Sequence, residues 1–198
     1  MMTDAVKDWL LEPDDPSARY RTLTELMGKP AGDPAAAASR KAIPGSAPAA
    51  ALLEAMHPDG YWLQRNPRTS RVVGDGVEYG SFGTTNFCLS YLAELGLDKR
   101  HPKVELATER YLELQQPDGD WLGHFSCLYG YNIRTFILLG YRRDKRLQRS
   151  FELLQGSARA DGGYLCDPHE TPRGRTKSCI RGSLKALAAF AELGPGYW

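Results

Sequence analysis

Two glycine spacings constrain this chain more than any other feature. Gly96 to Gly140 is 44 positions, and Gly119 to Gly162 is 43. Both intervals frame the same order of parts: an apolar helix stopped by glycine, an amphipathic helix, then an Asp-Gly turn followed by an aromatic residue. Phe87, Leu89, Tyr91, Leu92 and Leu95 are apolar nearly all round one helix, the mark of a buried element. In the next helix Val104, Leu106, Tyr111 and Leu112 alternate with Lys103, Glu105, Glu109 and Arg110, so one side should be wet. A helical repeat of this length means stacked hairpins, each burying what its neighbour leaves bare. The expected fold class is all-α, in stacked helical hairpins. No strand–helix alternation supports an α/β reading.

The rest of the chain follows in order. Residues 3–12 read as a short helix. Asp15-Pro16 and Asp33-Pro34 each pair a carboxylate cap with proline in the first helical position, a helix start in both cases. Ser46 is placed to cap a further helix carrying Leu52, Leu53 and Met56. HPDGYW at 57–62 is the first of three related turns, before QPDGDW at 116–121 and ADGGYL at 160–165. Residues 63–83 form a long irregular segment, in which VVGDGVEYG has room for a short strand pair. Further helices are expected over 128–139, 144–154 and 178–193. The chain reads as a single helical-repeat domain, 1–198, with short antiparallel helices over 1–56 and repeats over 57–198.

Composition removes several classes of function. Of the 198 residues 42% are hydrophobic and 25% charged, the globular range. Net charge is 25 − 24 = +1, which gives no basic excess for nucleic acid or an anionic membrane. No apolar run approaches the roughly 18 residues of a membrane span. The opening MMTDAVKDWLLEPDDP lacks the basic-then-apolar order of a signal peptide, so the expected location is the cytoplasm, where cysteines are thiols rather than disulfides.

The chemistry-bearing stretch is DGGYLCDPHETPRGRTKSCIRGSLKAL at 161–187. Cys166 and His169 lie in a loop, Cys179 opens the helix after it, and Cys127 opens the preceding apolar helix. If successive apolar helices are neighbours, their starts share one end of the stack, and Cys127, Cys166, His169 and Cys179 converge as a zinc set. His124 is a fifth candidate, and Asp167 can orient an imidazole. The other reading takes the thiols as small apolar residues near helix starts. A closed set of four ligands means a structural ion, and an open position a catalytic one.

Other residues divide between structure and function. Asp59, Asp118 and Asp161 recur at one place in each turn, so turn geometry accounts for them. Cys88 lies on an apolar face and belongs to the core. Tyr91, Tyr131 and Phe136 are either core or the wall of a substrate pocket, where ring faces stabilise cations. Arg134, inside a helix taken as buried, must meet a carboxylate or a bound anion. Arg173, Arg175, Lys177 and Arg181 form either a solvated face or a phosphate rim.

QQPDGDW and ADGGYL, each after an amphipathic helix (YLELQ, FELLQ), resemble the repeat of the terpene cyclase and protein prenyltransferase superfamily. YLELQQPDGDW is similar to the glutamine–tryptophan motif of squalene cyclases. CLYGYNIRTFILLGY through KSCIRGSLKALAAF resembles the bacterial prenyltransferase/squalene-oxidase-repeat proteins. The resemblance spans about residues 50–195 and implies a partial (α/α) toroid, in which inner helices line a cavity and outer helices wrap it. It also implies zinc and an isoprenoid or other apolar substrate. The acid motifs DxDD and DDxxD are absent. Cys127 stands at the zinc-binding cysteine of the prenyltransferases, but Phe125 replaces their aspartate and Lys177 their histidine. Two functions follow: an isoprenoid-acting toroid protein with zinc, or a non-catalytic zinc-stabilised helical-repeat binding module. The partner is an apolar small molecule or protein segment. The last apolar helix has no outer partner in the sequence, so the N-terminal helices or a second copy, as in a homodimer, are expected to cover it.

Overall fold

The computed structural model describes residues 3–65, 72–74, 84–121, 126–165 and 177–194, without the side chains of 64, 65, 72–74 and 126–128. Helices dominate. In chain order they are α1 (Asp4–Leu10), α2 (Pro16–Arg21, running into a wider turn to Leu26), α3 (Pro34–Ala42), α4 (Ala47–Glu54), α5 (Thr85–Glu94), α6 (Pro102–Glu113), α7 (Ser126–Phe136, continued to Tyr141), α8 (Lys145–Gly156) and α9 (Ile180–Leu193). A two-stranded antiparallel ribbon, β1 (Gln64–Arg65) with β2 (Val72–Gly74), precedes α5. The VVG of the expected strand pair is thus a strand, but its partner lies upstream; the remainder of that segment lies outside the described residues. No helix among the described residues is long and apolar enough to cross a membrane.

The helix starts show why the sequence folds this way locally. Asp15 Oδ1 accepts from the amides of Ser17 and Ala18 at 3.1 and 2.9 Å, and Asp33 Oδ1 from Ala35 and Ala36 at 3.0 and 3.3 Å. Each carboxylate satisfies two amides that the helix leaves without partners. Ser46 departs from expectation. Its hydroxyl donates back to the Ile43 carbonyl at 2.7 Å and makes no cap bond to α4, because Ile43–Gly45 forms a tight 3₁₀ turn that brings that carbonyl within reach.

The helices form two rows. α5, α7 and α9 pack successively as an inner row, with α7 against both neighbours. Phe87 meets Tyr131 and, further on, Glu94 meets Arg134, so α5 and α7 run in the same direction. The α7–α9 pair does likewise, since Gly130 seats on Lys185 and Arg134 reaches Glu192. Outer helices α6 and α8 pack on α5 and α7. Lys103 Nζ donates to the Leu53 carbonyl at 2.7 Å, and Arg146 pairs with Glu109 at 2.8 Å, which ties α4 to α6 and α6 to α8.

The three Asp-Gly turns share one hydrogen-bond pattern. The amides of His57, Gln116 and Arg159 donate four residues ahead, to the carbonyls of Tyr61, Asp120 and Gly163, at 2.7, 2.8 and 2.9 Å. The amides of Gly60, Gly119 and Gly162 donate back to the first residue of each turn at 2.9, 3.0 and 2.9 Å. Those glycines have φ of 82, 96 and 81°, a region costly for any other residue. Asp118 and Asp161 accept from amides of their own turns, so these two aspartates hold local geometry. The aromatic that follows, Trp62, Trp121 or Tyr164, is buried in every case.

The core lies between the two rows. Trp121, Tyr111 and Phe136 form one aromatic cluster with centroids 5.5–6.4 Å apart. Burying side chains of this size contributes about 1.5–3 kcal/mol each. Cys88 belongs to this core, and burial pushes its thiol up to about 12, leaving it inert near neutral pH.

Candidate functional site

Each inner helix keeps one stripe clear of the outer row: Phe87, Tyr91 and Glu94 on α5, and Tyr131, Arg134 and Leu138 on α7. The stripe on α9 begins with Lys185 and ends with Glu192. Residues at equivalent places meet across the helices. The rings of Phe87 and Tyr131 lie 5.2 Å apart, and Lys185 Nζ sits 4.9 Å from the centre of the Tyr131 ring. The site thus has an aromatic tier toward the starts of the helices, with Tyr91 exposed beside it.

A charged tier lies toward the helix ends. Arg134 pairs with Glu94 on α5 and, at 3.2 Å, with Glu192 on α9. Arg21 of α2 extends the chain, 3.1 Å from Glu94 and 2.9 Å from Glu25. The repeat explains the room for Arg134. Arg134 stands six residues before Gly140, and the residues six before Gly96 and Gly194 are Ser90 and Ala188, both small. Of the two partners expected for this arginine, the structure supplies carboxylates. Burial alone would raise the Glu94 carboxyl, but the hydrogen bonds and charges of Arg134 and then Arg21 outweigh it and hold the group below the usual carboxylate range. Glu94 is therefore ionised at neutral pH and has no proton to donate as an acid.

Of the expected pocket residues, Tyr91, Tyr131 and Arg134 share this open face. Phe136 does not. It is buried against Tyr111 and Trp121 on the core side of α7, as its five-residue step from Tyr131 requires, about 140° round the helix.

The expected metal set is only partly in view. Cys166, His169, His124 and Asp167 lie outside the described residues, as does the side chain of Cys127. Cys179 stands immediately before α9, and its amide donates to the Tyr164 carbonyl at 2.7 Å. Cys127 lies in the first turn of α7. It precedes Gly130 by three residues, and Cys179 precedes Lys185 by six. With Gly130 seated on Lys185, the two cysteine positions are offset by roughly 4.5 Å along parallel helices. Among the described residues no three His, Cys, Asp or Glu side chains gather into a metal-binding group.

Two features were not singled out from sequence. Asp120 is a buried carboxylate, and the Tyr129 hydroxyl is raised by burial and then by its hydrogen bond to Asp120. The signal was the second aspartate of QPDGDW, where the first turn has tyrosine and the third glycine. A trough of about 620 Å³ between α3 and the α5–α6 connection is lined by Arg40, Lys41, Asp98 and His101 among others. Arg40 is committed there to Asp98 at 2.7 Å. No protein-family model matches this chain, and no curated protein matches it.

Proposed function

We propose that this chain is a helical-repeat binding module on the (α/α) toroid plan, whose inner-row face receives an apolar ligand, either an isoprenoid chain or an apolar protein segment. One observation carries the reading: Phe87, Tyr131 and Lys185 stand at equivalent places on three successive helices and touch in a line. Ring faces in such a row suit an extended apolar ligand, with the lysine at one end for a polar head. The charged tier beside them is internally neutralised, and Glu94 is held ionised. That tier therefore serves as a structural brace rather than an acid–base pair. Turns of the glutamine–tryptophan type, with their buried aromatics, support kinship with the terpene cyclase and prenyltransferase architecture.

In this reading zinc is a structural ion held by Cys127, Cys166, His169 and Cys179, and it pins α9 to α7. Support comes from the neighbouring starts of those two helices. The second reading, an isoprenoid-processing enzyme of the same architecture, draws on the same aromatic row, because such rings stabilise carbocations.

The test uses thermal shift and equilibrium binding with farnesyl and geranylgeranyl diphosphate and with their alcohols. Binding that weakens about tenfold or more in Tyr131→Ala, with no diphosphate released, supports the module. Diphosphate release supports the enzyme. No binding by either probe class, with Tyr131→Ala indistinguishable from wild type, defeats the isoprenoid ligand. Metal analysis of the purified protein and of Cys179→Ser decides the zinc separately: metal-free wild-type protein removes it.

A further inference from the structure

Two helices, α9 and α1, carry unpartnered apolar surface of complementary charge. On α9, Ile180, Leu184 and Leu187 are 80%, 61% and 59% exposed, and Ala191 continues the line. Their spacing of four, three and four is the seam of a helix pair. The repeat shows what this edge lacks. Leu187 stands seven residues before Gly194, as Ile133 does before Gly140 and Leu89 before Gly96; those two are 0% exposed, on helices that each have a further inner helix packed beside them. After α9 no further inner helix follows among the described residues. The seam is flanked by exposed basic residues, Lys177 and Arg181.

Elsewhere in the chain, α1 buries none of its residues. Val6 and Trp9, one turn apart, are 44% and 65% exposed. Around them stand Asp4, Asp8 and Glu12, all exposed. With Lys7 as its one basic residue, α1 is thus a short, net acidic amphipathic helix that buries no side chain. It is not seated on its own α9, since both apolar surfaces are bare.

We propose that the edge of α9 is an interface with a second copy of this chain, and that the second copy's α1 occupies it. Charge selects this occupant over a second α9. α1 brings carboxylates to Lys177 and Arg181, whereas the one carboxylate of α9, Glu192, is already paired with Arg134. Reciprocal exchange places two such contacts in one closed two-fold dimer. Doubling the contact matters, because one helix seam alone falls short of the roughly 800 Å² per partner of a stable interface.

The experiment is sedimentation velocity of the full chain over about 1–100 μM, spanning weak to moderate affinity. Dimer formation is expected. Leu184→Asp with Leu187→Asp should raise the dissociation constant at least about tenfold, as should Val6→Ser with Trp9→Ser. All four residues are exposed, and circular dichroism checks that each variant keeps its helices. Charge reversal adds specificity. Asp4→Lys with Asp8→Lys, and Lys177→Glu with Arg181→Glu, should each weaken self-association. Mixing the two variants should restore association, since both seams of the mixed dimer then pair opposite charges. A monomer throughout the range overturns the proposal. So does a dimer untouched by the Val6 and Trp9 substitutions, which would place α9 against α9.

Discussion

The turns at 116–121 and 159–164 are alike in hydrogen bonding and unlike in what presses on them. Behind Gly119, a Cβ would meet the backbone of Arg149 at 2.7 Å and the Ser150 amide at 2.9 Å, on outer helix α8. Behind Gly162 nothing lies within 4 Å, for no outer helix follows α9 among the described residues. The third turn closes itself by another route. Asp161 accepts from the amide and the hydroxyl of Ser178, and the Tyr164 amide donates to Ser183 Oγ at 3.0 Å. Gly163 is needed for that return, because a Cβ there would lie 2.4 Å from Ser178 Cβ. The same turn is therefore held from outside in one repeat and from the chain's own downstream strand of residues in the other. Turn geometry is local, and the force that fixes the turn in place is tertiary.

The largest break in that comparison is Gly119→Ala. The positive φ costs about 1–2 kcal/mol, and overlap with helix backbone that cannot step aside adds about 1–3. A fall in Tm of about 6–15 °C is expected for a domain of this size. Gly162→Ala carries only the backbone penalty, about 1–2 kcal/mol, and should lower Tm by less than half as much. Equal losses in the two variants would show that φ alone matters and that α8 yields freely.

Next in size is Gln115→Ala. The Gln115 amide donates to the Arg146 carbonyl at 2.7 Å and Ser150 Oγ at 2.6 Å, and its oxygen accepts from Arg149 at 2.9 Å. The glutamine of this motif thus grips carbonyl and hydroxyl groups in the first turns of α8 and not its N-terminal amides. Those are served by Asp144, whose side chain accepts from the Arg146 amide at 2.8 Å. Loss of the grip should cost about 1–2 kcal/mol by chemical denaturation. The matching change in the third turn has no target. The residue in that register is Ala158, whereas Gln155, similar in its surrounding text, is exposed.

That mismatch shows what the sequence disclosed and what it hid. The 43–44 residue spacing gave the hairpins, because positive-φ glycines and buried aromatics leave a strict mark. Arg134's need for a carboxylate or a bound anion was legible from its place in an apolar helix, but not that Glu94 and Glu192, 40 residues before it and 58 after, are its partners. Such pairing depends on neighbouring helices that only the stack brings together. Phe136 was grouped with Tyr131 because both are aromatic on one helix, yet their angular separation puts them on opposite sides. The aromatic row needed the register between helices, which no single stretch contains.

The smallest effect concerns Asp161, and it turns on pH. The Ser178 hydroxyl and then its amide hold the Asp161 carboxyl below the usual carboxylate range. A folded value below the unfolded one, about 3.9, means stability that is present above pH 4 and lost as pH falls through the folded value. Asp161→Asn keeps an acceptor but loses the charge. Its Tm should sit below wild type at pH 7, and the gap should close as pH approaches 3. Asp118→Asn, in the turn braced by α8, should show a smaller gap at pH 7, since Asp118 serves only its own turn. A gap for Asp161→Asn that stays constant from pH 7 to pH 3 would mean that the carboxylate's charge contributes nothing. The return of the chain to the third turn would then rest on neutral hydrogen bonds, those of Tyr164 with Ser183 and Cys179 among them.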